Sequence, residues 1–285
     1  MAVAAAVYLP IAAALSAVGL ELCPWWAVTP VLAWCVAWQA SLQHEVIHGH
    51  PTSWLWVNRM IAGPPLLVAI PFDRYRDSHL AHHVDERLTD PLDDPESWYV
   101  TADAWRRAAK LERWIRLAMN TFAGRVVIGP LWVLGLSVWA DARDLSAARR
   151  LPALTVHGLQ LWAMAVGLEA LGIPVWGYLI LVVWPATGLM LVRSYAEHRP
   201  SPDPAERSVI VEADGPLALL FLSNNLHALH HECPGLPWYL LRRVFRDGRN
   251  RILDRNGGYR FGSYLEMVSQ YLFTPRDHPI HPVDR

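Results

Sequence analysis

The chain has 285 residues, of which 53 % are hydrophobic and only 18 % charged, with a formal net charge of −1; a soluble domain of this length carries about a quarter charged residues. An ordinary soluble enzyme is disfavoured, the near-neutral balance offers no basic face for nucleic acid, and 15 Trp and 9 Tyr exclude a disordered chain. A membrane protein is the first expectation. Cys23, Cys35 and Cys233 are too few and too scattered for a disulfide framework or a thiolate metal site, so any metal must be held by other ligands.

No residue is charged from Ala2 to Leu20 or from Trp25 to Gln43, and each run is about the 20 residues a helix needs to cross the hydrocarbon core. Glu21 and Cys23-Pro24 separate them, which predicts a helical hairpin. A cleaved signal peptide is not expected, because a basic start is missing and a second apolar run follows at once. Ile61 to Ile70 is too short to span and is broken by Pro64-Pro65, so an interfacial or re-entrant segment is predicted. Phe122 to Ala140 is long enough, but Arg125 lies within it and Arg143, Arg149 and Arg150 follow it. The positive-inside rule therefore predicts a partly embedded helix there. A second hairpin fits Leu151 to Leu171 and Ile173 to Val192.

The expected architecture is all-α: one membrane domain over residues 1–285, with four spans at about 2–20, 25–43, 151–171 and 173–192. A helical cap of residues 44–150 and 193–285 would hold the site. The arginines put this cap on the cytoplasmic side, in a bacterial inner membrane. Arg74, Arg76 and Arg193 are candidates to meet lipid phosphates.

Nine of the thirteen histidines fall into four groups: His44 and His48 in HEVIH, His79, His82 and His83 in HLAHH, His198 in YAEH, and His227, His230 and His231 in HALHH. On a helix, positions i, i+3 and i+4 share a face, so each box aims its imidazoles at one point. That is metal-ligand geometry. His157, His278 and His281 stand alone and are set aside as ordinary hydrogen-bonded residues, and His50 points off the face of its box. Nine imidazoles exceed what one ion can hold, since zinc takes four ligands and iron about six, so two ions are implied. The nitrogen-rich set suits iron, although imidazole also suits zinc or copper.

In the order of these boxes, with two membrane hairpins around them, the chain resembles the integral-membrane fatty acid desaturase superfamily, which includes acyl-lipid desaturases, hydroxylases and carotenoid ketolases. Asn224 to Leu240 (NNLHALHHECPGLPWYL) and the Asp94-Pro95-Glu96 region are also similar to its short bacterial and carotenoid-oxidising branches. The resemblance implies a non-haem di-iron centre ligated by the nine histidines, with O2 as co-substrate and two electrons consumed per turnover. It implies a fatty acyl lipid, or a carotenoid or other long apolar chain, as substrate. Glu45 stands where many members carry Asp, and no haem domain is fused, so electrons must come from a separate donor such as a ferredoxin with its reductase.

An acyl chain has no polar handle at the reacting carbon, so a long apolar tunnel is expected, with Trp54, Trp56, Trp132, Trp162, Trp176, Trp184 and Met190 as candidate lining. Glu45, Asp77, Asp85, Asp90, Glu197, Glu232 and Asn224 lie close enough in sequence to orient imidazoles or assist a metal. Two rival readings remain open at this point. His44-Glu45-Val46-Ile47-His48 also matches H-E-x-x-H, the zinc metalloprotease signature, and a metal transporter would line a path across the bilayer with such residues. The first leaves seven clustered histidines unexplained, and the second expects them along the bilayer rather than at one face.

Overall fold

The uncharged opening run folds as α1 (Ala2–Gly19), and after a 3-10 turn at Trp25–Val28 the chain forms α2 (Thr29–Ile47), α3 (Leu55–Ala62) and α4 (Phe72–His82). There follow α5 (Ala102–Arg107), α6 (Lys110–Met119), α7 (Phe122–Asp144), α8 (Leu151–Ala170), α9 (Val175–Tyr178) and α10 (Trp184–Ser194), the last two joined by a π-helical turn at Leu179–Val183. The remainder holds α11 (Pro216–Leu220), α12 (His227–Glu232), α13 (Trp238–Arg255) and α14 (Tyr264–Tyr271). Two short strands, β1 (Ile210–Val211) and β2 (Arg260–Phe261), pair in parallel, with Ile210 opposite Arg260. This computed structural model describes residues 1–144 and 151–282.

The fold is an all-α membrane bundle. Among the described residues, four helices are long and apolar enough to cross a bilayer: Ala2–Gly19, Phe122–Trp139, Leu151–Ala170 and Val175–Ser194. Three agree with the expected spans. The fourth is Phe122–Trp139, expected to be only partly embedded, and not the stretch 25–43. Two features account for the exchange. The helix at 25–43 starts at Thr29 and runs on through Gln39, Gln43, His44 and Glu45, which lower its apolarity. The one charge inside Phe122–Trp139, Arg125, is buried: its guanidinium stacks 3.6 Å from the Trp98 ring centroid, and its Nε donates to Met119 O at 2.9 Å. Arg149 and Arg150, part of the argument against a crossing, lie outside the described residues.

The chain divides into two compact units, Met1–Tyr75 with Pro130–Met190, and Arg76–Gly129 with Leu191–Arg285. In the first, the prolines after α3 supply no N–H to continue its hydrogen bonds, so carbonyls at the end of α3 and just beyond it need other donors, and in an apolar setting each unmet one is costly. Side chains from four helices meet them. Tyr8 donates to Ile61 O, Gln43 Nε2 to Ala62 O at 2.7 Å, Gln39 Nε2 to Pro64 O at 3.0 Å and Tyr178 to Leu66 O at 2.8 Å. His157 Nε2 lies 3.1 Å from Val68 O, so this isolated histidine is a hydrogen-bonded core residue. Beside Tyr178 in α9, a Cβ on Gly177 would lie 2.5 Å from the Trp25 ring, so only glycine permits that approach.

The second unit is built around Ile210, Leu226, Leu229, Leu241, Phe245 and Ile252, which pack β1, α12 and α13 into one core. That packing fixes the helix that carries the last histidine box.

Candidate metal centre

Each histidine box lies on a helix or directly after one. His44 sits in α2 with His48 at its C-cap, and their ring centroids are 4.9 Å apart. His79 and His82 occupy the last turn of α4, with His83 next, and α12 carries His227, His230 and His231. His198 is different. It follows α10 by four residues in an extended stretch bridged to Ser208.

In the second unit, seven imidazoles gather into two groups. His82, His198, His227 and His231 place ligand atoms within 4.8 Å of one another. His198 Nε2 is 2.9 Å from His82 Nε2 and 3.1 Å from His227 Nε2. The other group is His79, His83 and His230, where His83 Nε2 is 3.0 Å from His79 Nε2 and 3.1 Å from His230 Nε2. In the first unit, His44 and His48 offer a pair of nitrogens within the same limit.

The outward-facing nitrogens are held by other side chains. His82 Nδ1 donates to Asp94 Oδ1 at 2.8 Å, His227 Nδ1 to Asn224 Oδ1 at 3.0 Å, and His79 Nδ1 to Glu96 Oε1 at 3.2 Å, while Ser208 Oγ lies 3.1 Å from His198 Nδ1. A proton on Nδ1 leaves the Nε2 lone pair aimed inward, which is what ligation needs. Burial, followed by the surrounding imidazoles, holds His198 and His227 well below the usual histidine range, so both are neutral. Burial pulls His82 the same way, but Glu96 and Asp94 outweigh it and push it up to about 9. Burial holds the Glu197 carboxyl above its ordinary range, against Arg193, whose Nε is 2.8 Å from Glu197 Oε1.

Of the expected carboxylate and amide partners, Asn224 and Glu197 reach the quartet, Glu197 Oε1 lying 3.6 Å from His227 Nδ1. Glu45 is buried on α2. Asp90 accepts the Leu92 and Asp93 amides at 2.8 and 3.0 Å and so holds a turn. Glu232 pairs with Arg251 and Arg255, and Asp77 with Arg76 at the surface; the Asp85 side chain lies outside the described ones. The carboxylates on His82 and His79 are instead Asp94 and Glu96. Their sequence signal, two acids flanking a proline after the second box, singled out the region without assigning its partners.

Four of the candidate tunnel residues are also corrected. Trp54, Trp56, Trp162 and Trp176 are each more than 60 % exposed and stand on the outer surface of their unit. That position suits an aromatic belt. Trp132, Trp184 and Met190 are half-buried. Arg193 and Arg74 turn inward, to Glu197 and to Ser137 O, rather than towards lipid. His278 and His281 contact Trp105 and Thr89, apart from both groups.

At the imidazole distance of about 2.0–2.1 Å typical of zinc, ligands at right angles, as in an octahedral set, sit about 3 Å apart. The four Nε2 spacings of 2.9 to 3.1 Å match that value. Convergent imidazoles, with the far nitrogens of His79, His82, His198 and His227 tied back, are a donor set for transition metals. No curated protein matches the chain. The family model described as fatty acid desaturase matches residues 24–263, a stretch that holds all nine clustered histidines. On that match the chain belongs to the fatty acid desaturase family and is a membrane oxidoreductase of the desaturase and hydroxylase type.

Proposed function

We propose that the chain holds two iron ions through its nine clustered histidines and uses O2 and two electrons to desaturate or hydroxylate a long apolar chain, most simply a fatty acyl lipid. His82, His198, His227 and His231 would hold one ion and His79, His83 and His230 would ligate the other, while the family resemblance adds His44 and His48 of α2 to the ligand set. The observation that carries this reading is the pair of imidazole groups with ligand-like spacing. Bound iron in a nitrogen-rich set supplies the oxidising power that removal of hydrogen from an unactivated C–H bond requires.

The protein's own part is positioning. Asp94 holds His82 through Nδ1 so that Nε2 faces inward, Asn224 does the same for His227, and Glu96 for His79. The substrate enters from the bilayer, and electrons come from a separate carrier such as a ferredoxin with its reductase. The site faces the cytoplasm of a bacterial inner membrane in this reading.

Two measurements test it. Elemental analysis of purified, active protein should find two irons per chain; one tight zinc with negligible iron would favour a protease built on His44, Glu45 and His48. Product formation from fatty acyl lipid, with reductant supplied, should require O2. Conversion that ignores O2 overturns the oxygenase reading, and turnover of carotenoid alone moves the substrate to the ketolase and hydroxylase branch.

A further inference from the structure

We infer that Arg276 is a positioning residue that clamps the main chain of His198, the one clustered histidine without a helix to aim it. The inference rests on the reading of His198 as a metal ligand. The other eight lie in or at the end of α2, α4 and α12, where helical spacing directs their rings. His198 has only an extended strip to hold it. Glu197 O accepts from Val209 N at 3.0 Å, and Arg199 N donates to Arg207 O at 2.9 Å, which brackets the residue on one side. Its own carbonyl is met from the opposite end of the sequence, by Arg276 Nη2 at 2.8 Å.

Arg276 is itself tied in every direction. Its Nε donates to Asp277 Oδ2 at 2.7 Å, its Nη1 to Tyr259 Oη at 3.1 Å, and its main-chain N to Asn120 O at 2.8 Å. Tyr259 in turn donates to Ala196 O at 2.7 Å, so the same knot grips the chain two residues before His198 as well as at His198. The arginine side chain is 11 % exposed. The segment around it is pinned by Ala123 N to Leu272 O, Val100 N to Pro279 O and His281 N to Val100 O, at 2.9 to 3.0 Å.

A planar guanidinium serves these three acceptors at once, and an ammonium cannot reproduce its fork. Without it the His198 carbonyl loses this partner, and the strip can shift. An imidazole that must meet two others at about 3 Å tolerates little displacement. The clamp also comes from outside the family match, which ends at residue 263.

The test uses the purified full-length protein and Co2+ as a spectroscopic probe, comparing wild type, His198→Ala, Arg276→Ala and Arg276→Lys. Wild type should take up two ions. Arg276→Ala should bind one with unchanged affinity and the second about 10- to 100-fold more weakly, the loss typical when an outer partner of a ligand is removed. Its Co2+ spectrum should move towards that of His198→Ala, and Arg276→Lys should fall between. Should Arg276→Ala fail to insert, Arg276→Lys decides the matter. Arginine variants that fill both sites with wild-type affinity and spectrum, losing only thermal stability, would overturn the clamp and leave the metal reading intact. A His198→Ala protein that still binds both ions normally would remove the ligand reading and the clamp with it.

Discussion

The two imidazole groups of the second unit draw on the same two boxes, the quartet adding His198, yet they differ in how they are held. In the quartet, His82, His198 and His227 are tied back by groups on three different segments: Asp94, Ser208 and Asn224. In the trio, Glu96 ties back His79. A single short stretch serves both groups, because Asp94 and Glu96 flank Pro95 and each takes one histidine of α4. The two acids are not equivalent. Asp94 is buried and also accepts Thr89 N and Glu96 N, both at 2.9 Å, whereas a third of the Glu96 side chain is exposed. The teaching of the contrast is that spacing on a helix sets which rings meet, and loop carboxylates set how rigidly they meet.

The largest effects should come from the rings themselves. His227→Ala, His230→Ala and His231→Ala should each abolish O2-dependent conversion while the protein still inserts and folds. They should differ in the ion they lose: the first and third emptying the quartet, the second the trio. Metal analysis of the three purified variants checks this. Full activity in all three would break the assignment of both groups, and identical metal loss would merge them into one.

Removing the outer carboxylates should rank next. Asp94→Ala deprives His82 of its orienting acceptor and leaves two amides unmatched. Metal affinity at the quartet should fall about 10- to 100-fold, with a stability loss on the order of 2 kcal/mol. Glu96→Gln keeps an acceptor oxygen beside His79 and should weaken the trio only a few-fold. Metal titration with thermal unfolding of both variants sharpens the comparison; equal losses would show that burial of the acid does not matter here.

The boxes were legible because ligand spacing is local. H-x3-H and H-x2-H-H read as one helical face wherever the helix lies, and α2, α4 and α12 carry them as expected. Asn224 was within reach of this logic, lying one turn before His227. Asp94, Glu96, Ser208 and Arg276 were not, since each meets its histidine through a long-range contact that no period encodes. Asp90 shows the converse: proximity in sequence suggested a partner, but its side chain closes a turn. The expected spans and the long apolar helices differ in one place. Arg125 counted against a crossing at Phe122–Trp139, and only the fold reveals Trp98 and the Met119 carbonyl around it.

The smallest expected effect lies away from both groups and marks the boundary of the comparison. Glu212, directly after β1, accepts Arg249 Nε and Nη2 at 2.6 Å each and Arg260 Nη1 at 3.1 Å, which ties α13 to the strand pair. Arg249 holds the Glu212 carboxyl below its ordinary range, chiefly through these hydrogen bonds. A carboxyl with a lower pKa when folded binds its proton more tightly when unfolded. Its contribution to stability is therefore complete above the ordinary carboxylate range and is lost as pH falls through the depressed value. Glu212→Gln should accordingly be slightly less stable than wild type at neutral pH, and the two should converge on acidification, the difference being small because the arginines face solvent. Metal uptake at neutral pH should be unchanged, since none of these groups touches a histidine of either cluster. Unfolding curves for both proteins across the acid range, run beside a metal titration at pH 7, check the two halves together. Weakened metal uptake in Glu212→Gln would mean that the quartet depends on how α13 is moored, and that rigidity reaches it from beyond the carboxylates that touch its rings.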